Sequence, residues 1–142
     1  MIHFQLVALT GVKFEGDAYE VTLPTLDGEI GVLEKHMPLI SVVKPGVIAV
    51  RHEAKDSDAQ REFFAASGGV IEVSDNKLRV LVDEADSGDE ISEAEAQAAI
   101  DRAKKMLAEA TDQVSLDHAQ QLVDRHTVRL QVASLKRRHQ KH

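Results

Sequence analysis

The sequence has no cysteine and no tryptophan, and aromatic residues make up 4% of its 142 positions. Without cysteine there can be no disulfide framework, no thiolate metal site and no cysteine nucleophile, which suits a reducing compartment. With few aromatics the core must be built from Val, Ile, Leu and Ala, and the ring platforms on which single-stranded nucleic acid stacks are missing. Long apolar runs are missing as well. None approaches the ~20 residues that cross a bilayer, and the Met1-Ile2-His3-Phe4 start lacks the basic-then-apolar order of a signal peptide. The expectation is a soluble chain with no direct membrane span, whose membrane contact goes through a partner.

What is present is an ordinary globular composition, 43% apolar and 29% charged. The length suits one sandwich-sized domain with an appendage, not a fold with a large buried enzymatic cleft. Charge is unevenly spread: residues 1–88 carry 8 Lys+Arg against 15 Asp+Glu, residues 89–112 carry 3 against 7, and residues 113–142 carry 6 against 2. A basic arm thus ends an acidic body. The acidic remainder would repel phosphates, so an acidic protein surface, and no nucleic acid, is the expected reader of the arm.

The first half reads as strands. Ile2, Phe4, Leu6 and Ala8 alternate with His3, Gln5 and Val7, and Tyr19, Val21 and Leu23 repeat the period of two. Asp27-Gly28 is a hairpin-type turn signal. Residues 47–50, 63–66, 70–73 and 78–82 supply further short strands, separated by Ser67-Gly68-Gly69 and Ser74-Asp75-Asn76. A strand and turn about every ten residues is the spacing of an all-β sandwich of about ten short strands. It is expected to end near Asp86, giving domains 1–86 and 87–142.

The second half reads as an antiparallel helical hairpin of about 18 and 22 residues. Ser92-Glu93-Ala94-Glu95 has the capping-box pattern. Ala96, Ala99, Ala103, Met106, Leu107 and Ala110 form one apolar stripe. After a break at Thr111-Asp112-Gln113, Ser115 is expected to cap a second helix, striped by Ala119, Leu122, Val123, His126, Leu130 and Ala133. Lys136-Arg137-Arg138 then supplies cations suited to a helix C-terminus. Burying a Leu or Ile is worth about 1.5–3 kcal/mol and an Ala methyl much less, so an alanine-seamed hairpin should hold itself weakly and be able to detach.

The stretch between Gly28 and Gly46 sets short apolar runs between turn residues and leaves Glu29 and His36 on loop-like ground. Gly28-Glu29-Ile30-Gly31-Val32-Leu33, His36-Met37-Pro38-Leu39 and Lys44-Pro45-Gly46 closely resemble the epsilon-subunit family of the F-type ATP synthase. So do Ser67-Gly68-Gly69-Val70-Ile71-Glu72-Val73, Val80-Leu81-Val82-Asp83-Glu84-Ala85 and Asp89-Glu90-Ile91. The pieces stand in register from Leu6 to about Lys136.

The resemblance implies a non-catalytic rotor part. Its sandwich would hold the gamma subunit and rest on the membrane ring of c subunits, and its hairpin would extend toward the catalytic alpha and beta subunits and restrain ATP hydrolysis. Glu29 and His36 match positions that the family sets against the c ring. Arg125, Arg129, Lys136, Arg137 and Arg138 would form an inhibitory arm, or equally a solvated cationic face that needs no partner. Gly28, Gly31, Gly46 and Gly68-Gly69 are backbone devices. The start of the chain, with no presequence, suggests a bacterial protein, peripheral on the cytoplasmic side of the inner or plasma membrane.

Departures from the family matter too. Glu34 and Met37 replace the Pro and Ala of relatives around the loop histidine, so the loop is expected to be less rigid and more apolar at its tip. Some relatives bind ATP through an Ile/Leu-Asp-x-x-Arg-Ala motif. Here the run is Ile91-Ser92-Glu93-Ala94-Glu95-Ala96, with only Arg102 basic nearby. An anion in place of a cation reverses the Coulomb term at a triphosphate, so no cofactor, ATP included, is expected.

Seven histidines form no His-Glu-x-x-His pair, and His139 and His142 sit on the tail. No phosphate loop or nucleophile elbow occurs, so neither a metal site nor a catalytic residue is expected. The rival to the rotor part is a stand-alone β-sandwich adaptor that grips a soluble protein with its hairpin.

Overall fold

Alternation sets the first strand: β1 (Ile2–Ala8) buries Ile2, Phe4, Leu6 and Ala8 and leaves the residues between them half-buried. The computed structural model describes residues 1–140, and side chains as far as Arg137. The further strands are β2 (Gly11–Ala18), β3 (Glu20–Thr25), β4 (Gly28–Leu33), β5 (Leu39–Val43), β6 (Gly46–Arg51), β7 (Glu62–Ala66), β8 (Gly69–Ser74), β9 (Lys77–Val82) and β10 (Ala85–Ser87). Helices α1 (Glu93–Glu109) and α2 (Gln113–Gln140) follow. The β-sandwich with a C-terminal helical hairpin expected from the sequence is what the chain forms.

The strands make one sheet in the order β10-β7-β6-β3-β5-β8-β9-β1-β2, with β4 paired to β3. β3 is the fold line. Its residues 20–22 pair with β6, while only Thr25 reaches Val43 of β5. The sheet doubles back there over a core that includes Phe4, Leu6, Leu23, Ile48, Phe64, Ile71 and Leu78. Among the described residues β2 pairs with β1 alone, and its largely polar sequence is exposed or half-buried up to Ala18, which is why no alternation announces it.

Two turns explain their residues. Asp75 and Asn76 join β8 to β9 with φ of 49° and 59°, the left-handed pair a tight hairpin needs and which Asp and Asn tolerate. Gly69 pairs with Val82 so closely that a Cβ would fall 1.9 Å from the Leu81 carbonyl oxygen. The close approach expected at Gly68-Gly69 is therefore made by Gly69.

β6 and β7 are covered on both faces. Ile48, Val50, Phe64 and Ala66 point into the sandwich, while Ala49, Phe63 and Ala65 join Ile91, Ala96, Val132 and Ala133 in a second apolar cluster. The hairpin is thus docked, with α2 lying across β6 and β7. The free energy holding it comes from this cluster as well as from the alanine seam of Ala96, Ala103, Ala119 and Ala133, all buried.

Details of the helices differ from expectation. Ser92 caps α1 by accepting the Glu95 amide at 3.3 Å, but only that half of the capping box forms. Ile100 belongs to the buried face, whereas Met106 is 43% exposed. The second helix starts at Gln113, because Asp112, not Ser115, is the cap: its carboxylate accepts the Ser115 amide at 2.7 Å. That bond lowers the Asp112 pKa from its ordinary value. α2 has 28 residues, more than the about 22 expected, and carries the cationic stretch near its C-terminal end at Gln140.

Candidate functional site

β4 and the loop after it hold the first group of candidate residues. Among the described residues β4 pairs with β3 alone, so its other edge is open. Glu29 lies on this strand opposite Pro24, exposed, and not on a loop as the turn-rich sequence suggested. The tight connection through Leu26 and Asp27 lets pairing begin at Gly28, where φ is 113°, so Glu29 falls inside the ladder. His36 lies in the loop beyond the other end of β4, half-buried, its Nδ1 2.7 Å from the Met37 carbonyl oxygen. The strand residues between Glu29 and Leu33 span about 13 Å. The two candidates therefore do not meet; they mark opposite ends of one open edge.

The His36 loop is tethered by hydrogen bonds. Lys35 has φ 64° and donates its amide to the Asn76 side-chain carbonyl at 2.9 Å, and the His36 amide is bonded to the Leu33 carbonyl. Asn76 in turn donates its side-chain amide to the Met1 carbonyl at 2.9 Å. Beyond this anchor the tip is apolar as expected: Met37 is 74% exposed and Ile40, on β5, 79%.

A second surface was missed in the sequence. Val42 on β5 pairs with Val70 on β8, Val70 with Leu81 on β9, Leu81 with Val7 on β1 and Val7 with Val12 on β2. An apolar row therefore crosses the outer face of the sheet, with Val12, Val42, Val70 and Leu81 exposed. Apart from β5, which also exposes Ile40, each strand shows one such residue among polar ones, so the register is what reveals the row.

The cationic candidates lie on α2 and face the segment between β9 and α1. Arg129 Nε is 3.1 Å from Asp86 Oδ2 and Arg137 Nε 3.0 Å from Glu93 Oε1, while Arg125 pairs with Glu84 and Lys136 with Asp89. Ser134 adds a hydrogen bond to Glu93 at 3.2 Å. The arm's described cations are thus engaged within the chain; the side chain of Arg138 lies outside the described residues. An open cleft of about 500 Å³ runs between the β7–β8 turn and α2, lined by residues including Asp83, Glu84, His118, Asp124 and Arg125. Among the described residues no group of three or more His, Cys, Asp or Glu side chains is arranged to hold a metal ion. None of their helices is long and apolar enough to cross a membrane.

Residues 1–88 match the family model of the ATP synthase delta/epsilon chain β-sandwich domain. The ATP synthase epsilon chain of Xanthomonas campestris is 36% identical over 141 residues, covering 99% of this chain and 98% of that one. The epsilon chain of Herpetosiphon aurantiacus is 33% identical over 139 residues, with 98% of each covered. Among solved structures, a chain of the Euglena gracilis mitochondrial ATP synthase superposes with a TM-score of 0.77 at 21% identity, over 94% of this chain and 81% of that one. A chain of the Tetrahymena thermophila mitochondrial ATP synthase central stalk and c ring gives 0.61 at 19%, covering 94% and 95%. At such identities these two likenesses speak for the fold.

Proposed function

This chain belongs to the family of ATP synthase epsilon chains, and from that membership we propose that it is a non-catalytic rotor subunit in the central stalk of a proton-translocating F-type ATP synthase. The observation that carries the reading is the match of nearly the whole chain, sandwich and hairpin together, to epsilon chains. In this reading residues 1–86 are the part fixed to the rotor and residues 87–142 the regulatory part. In this reading the subunit is peripheral to a bacterial inner or plasma membrane, on its cytoplasmic side.

Each proposed contact has a surface suited to it. The apolar row from Val42 to Val12 offers the gamma shaft a dry strip on a stiff sheet, and an exposed apolar band of this kind usually marks a protein interface. The open edge of β4, with Glu29 at one end and His36 at the other, is offered to the c ring. Meeting both requires a surface that runs along the whole edge. The hairpin, once released, would bring Arg125, Arg129, Lys136, Arg137 and Arg138 to carboxylates of the alpha and beta subunits and restrain hydrolysis. ATP is no ligand in this reading, since the α1 start carries Glu95 and the Ser92 hydroxyl already serves as a helix cap.

The test is deletion of residues 89–142 in the assembled enzyme. ATP hydrolysis should rise while the gamma subunit is still retained. Unchanged hydrolysis rules out the inhibitory role, and loss of gamma rules out the sandwich as its holder.

A further inference from the structure

Four carboxylates and four cations face one another in the same chain order: Glu84, Asp86, Asp89 and Glu93 against Arg125, Arg129, Lys136 and Arg137. The Arg129–Asp86 pair is the most sheltered, its side chains 25% and 26% exposed. Arg125, Arg129, Val132 and Lys136 recur at helical spacing, so the cations share a face of α2 with Val132, which is fully buried in the second cluster. Docking the apolar face and pairing the cations are therefore one event.

We propose that the strip Glu84-Asp86-Asp89-Glu93 is an internal competitor for an acidic partner surface. While α2 is docked, the strip occupies the cations that α2 would otherwise present, and it must give them up before carboxylates of another protein can take them. The proposal rests on the reading of the hairpin as a regulatory arm and adds what holds that arm back. A partner rich in carboxylates exchanges one set of ion pairs for another, so its net electrostatic gain is small. Once vacated, the strip carries four unpaired negative charges that repel an acidic partner and draw the arm back. The acidic excess before α2 and the basic excess within it thus act on each other before either acts elsewhere.

The test uses the isolated full chain with poly-L-glutamate as the acidic probe, at low salt. The variant Glu84→Gln/Asp86→Asn/Asp89→Asn keeps shape and removes charge from the strip. A control, Glu72→Gln/Asp75→Asn/Glu109→Gln, makes the same change in net charge at exposed positions away from it. The strip variant should bind the probe about three- to tenfold more tightly than the unaltered chain, since each exposed pair is worth a few-fold at most, and the control should not. In parallel, labels at Asp27→Cys and Ser115→Cys, convenient in a cysteine-free chain, should report a larger population of undocked hairpin in the strip variant only. Equal tightening by the control, or no change in the strip variant's affinity and label distance, overturns the proposal. Neither measurement involves the rotor. Failure of the rotor reading appears elsewhere, as hydrolysis by the assembled enzyme that ignores loss of the hairpin.

Discussion

The side-chain carbonyl of Asn76 accepts the Lys35 amide at 2.9 Å, joining two turns that stand 41 residues apart. With its second bond, to the Met1 carbonyl, Asn76 fastens the loop that carries His36. It also sits at φ 59°, where Asn is tolerated better than most residues with a Cβ. Asn76→Ala should cost about 1–3 kcal/mol, from two lost hydrogen bonds and the unfavourable backbone region. Asn76→Gly keeps the backbone free to adopt that φ and should recover part of the stability but none of the tether. Amide hydrogen exchange at Lys35 and His36 should accelerate in both variants. Unchanged exchange would show that the loop is held by something else.

Gly69 makes a sharper prediction. Its missing Cβ would overlap backbone, with the Leu81 carbonyl oxygen at 1.9 Å and the Val82 Cα at 2.8 Å, so no rotamer can relieve it. Gly69→Ala should destabilise the sandwich by about 3 kcal/mol or more, at or beyond the usual range for overpacking. Gly28→Ala meets nothing within 4 Å and strains only φ, so its cost should stay near 1–2 kcal/mol. Denaturant melts of the two variants give the comparison, and a Gly69→Ala loss no larger than that of Gly28→Ala would contradict it.

The legible parts of this chain are those written in local periodicity. β1 and β9 alternate cleanly, and the sandwich follows from them. β6 and β7 carry apolar runs without alternation, which suits strands covered on both faces; the runs at 47–50 and 63–66 were read as short strands, and their second cover by the hairpin is what the structure adds. What was not legible depends on placement. Val132 falls outside the alanine stripes because the hairpin packs against the sandwich as well as on itself. The acid and base excesses were visible in the sequence, but only the docked arrangement directs them at one another rather than outward. Glu29 was misassigned to a loop because a turn signal fixes a hairpin, not the residue at which its ladder begins.

Docking of the hairpin should be separable from folding of the sandwich. Val132 is fully buried in the second cluster but takes no part in the first. Val132→Asp would bury an unpaired carboxylate, a change costing several kcal/mol, which undocking avoids. The expected result is a β-rich core that melts close to the unaltered protein, together with a hairpin that a protease cuts readily near the connection at Thr111. Val132→Ala should have the same effect in weaker form, at about 1–2 kcal/mol. If Val132→Asp instead unfolds the strands along with the helices, the two parts form one cooperative unit and the regulatory reading loses its mechanical basis.

The docked hairpin should loosen in mild acid because of His126. Its Nδ1 is buried and, among the described residues, has no hydrogen-bond partner. Burial lowers its pKa from the ordinary 6.5, and the positive charges of Arg125 and Arg129 on α2 and Arg102 on α1 lower it further, against the opposing pull of Glu84. The folded chain therefore favours neutral imidazole more than the unfolded chain does. The resulting stability is fully present above the unfolded pKa of about 6.5 and is lost as pH falls through the lower folded value. Docking, followed by the Asp27 and Ser115 labels, should weaken between pH 7.5 and the onset of carboxylate titration. His126→Asn, which cannot take up a proton, should flatten that part of the profile while leaving any contribution from the remaining histidines in place. A variant whose pH dependence matches that of the unaltered chain would remove His126 as the cause.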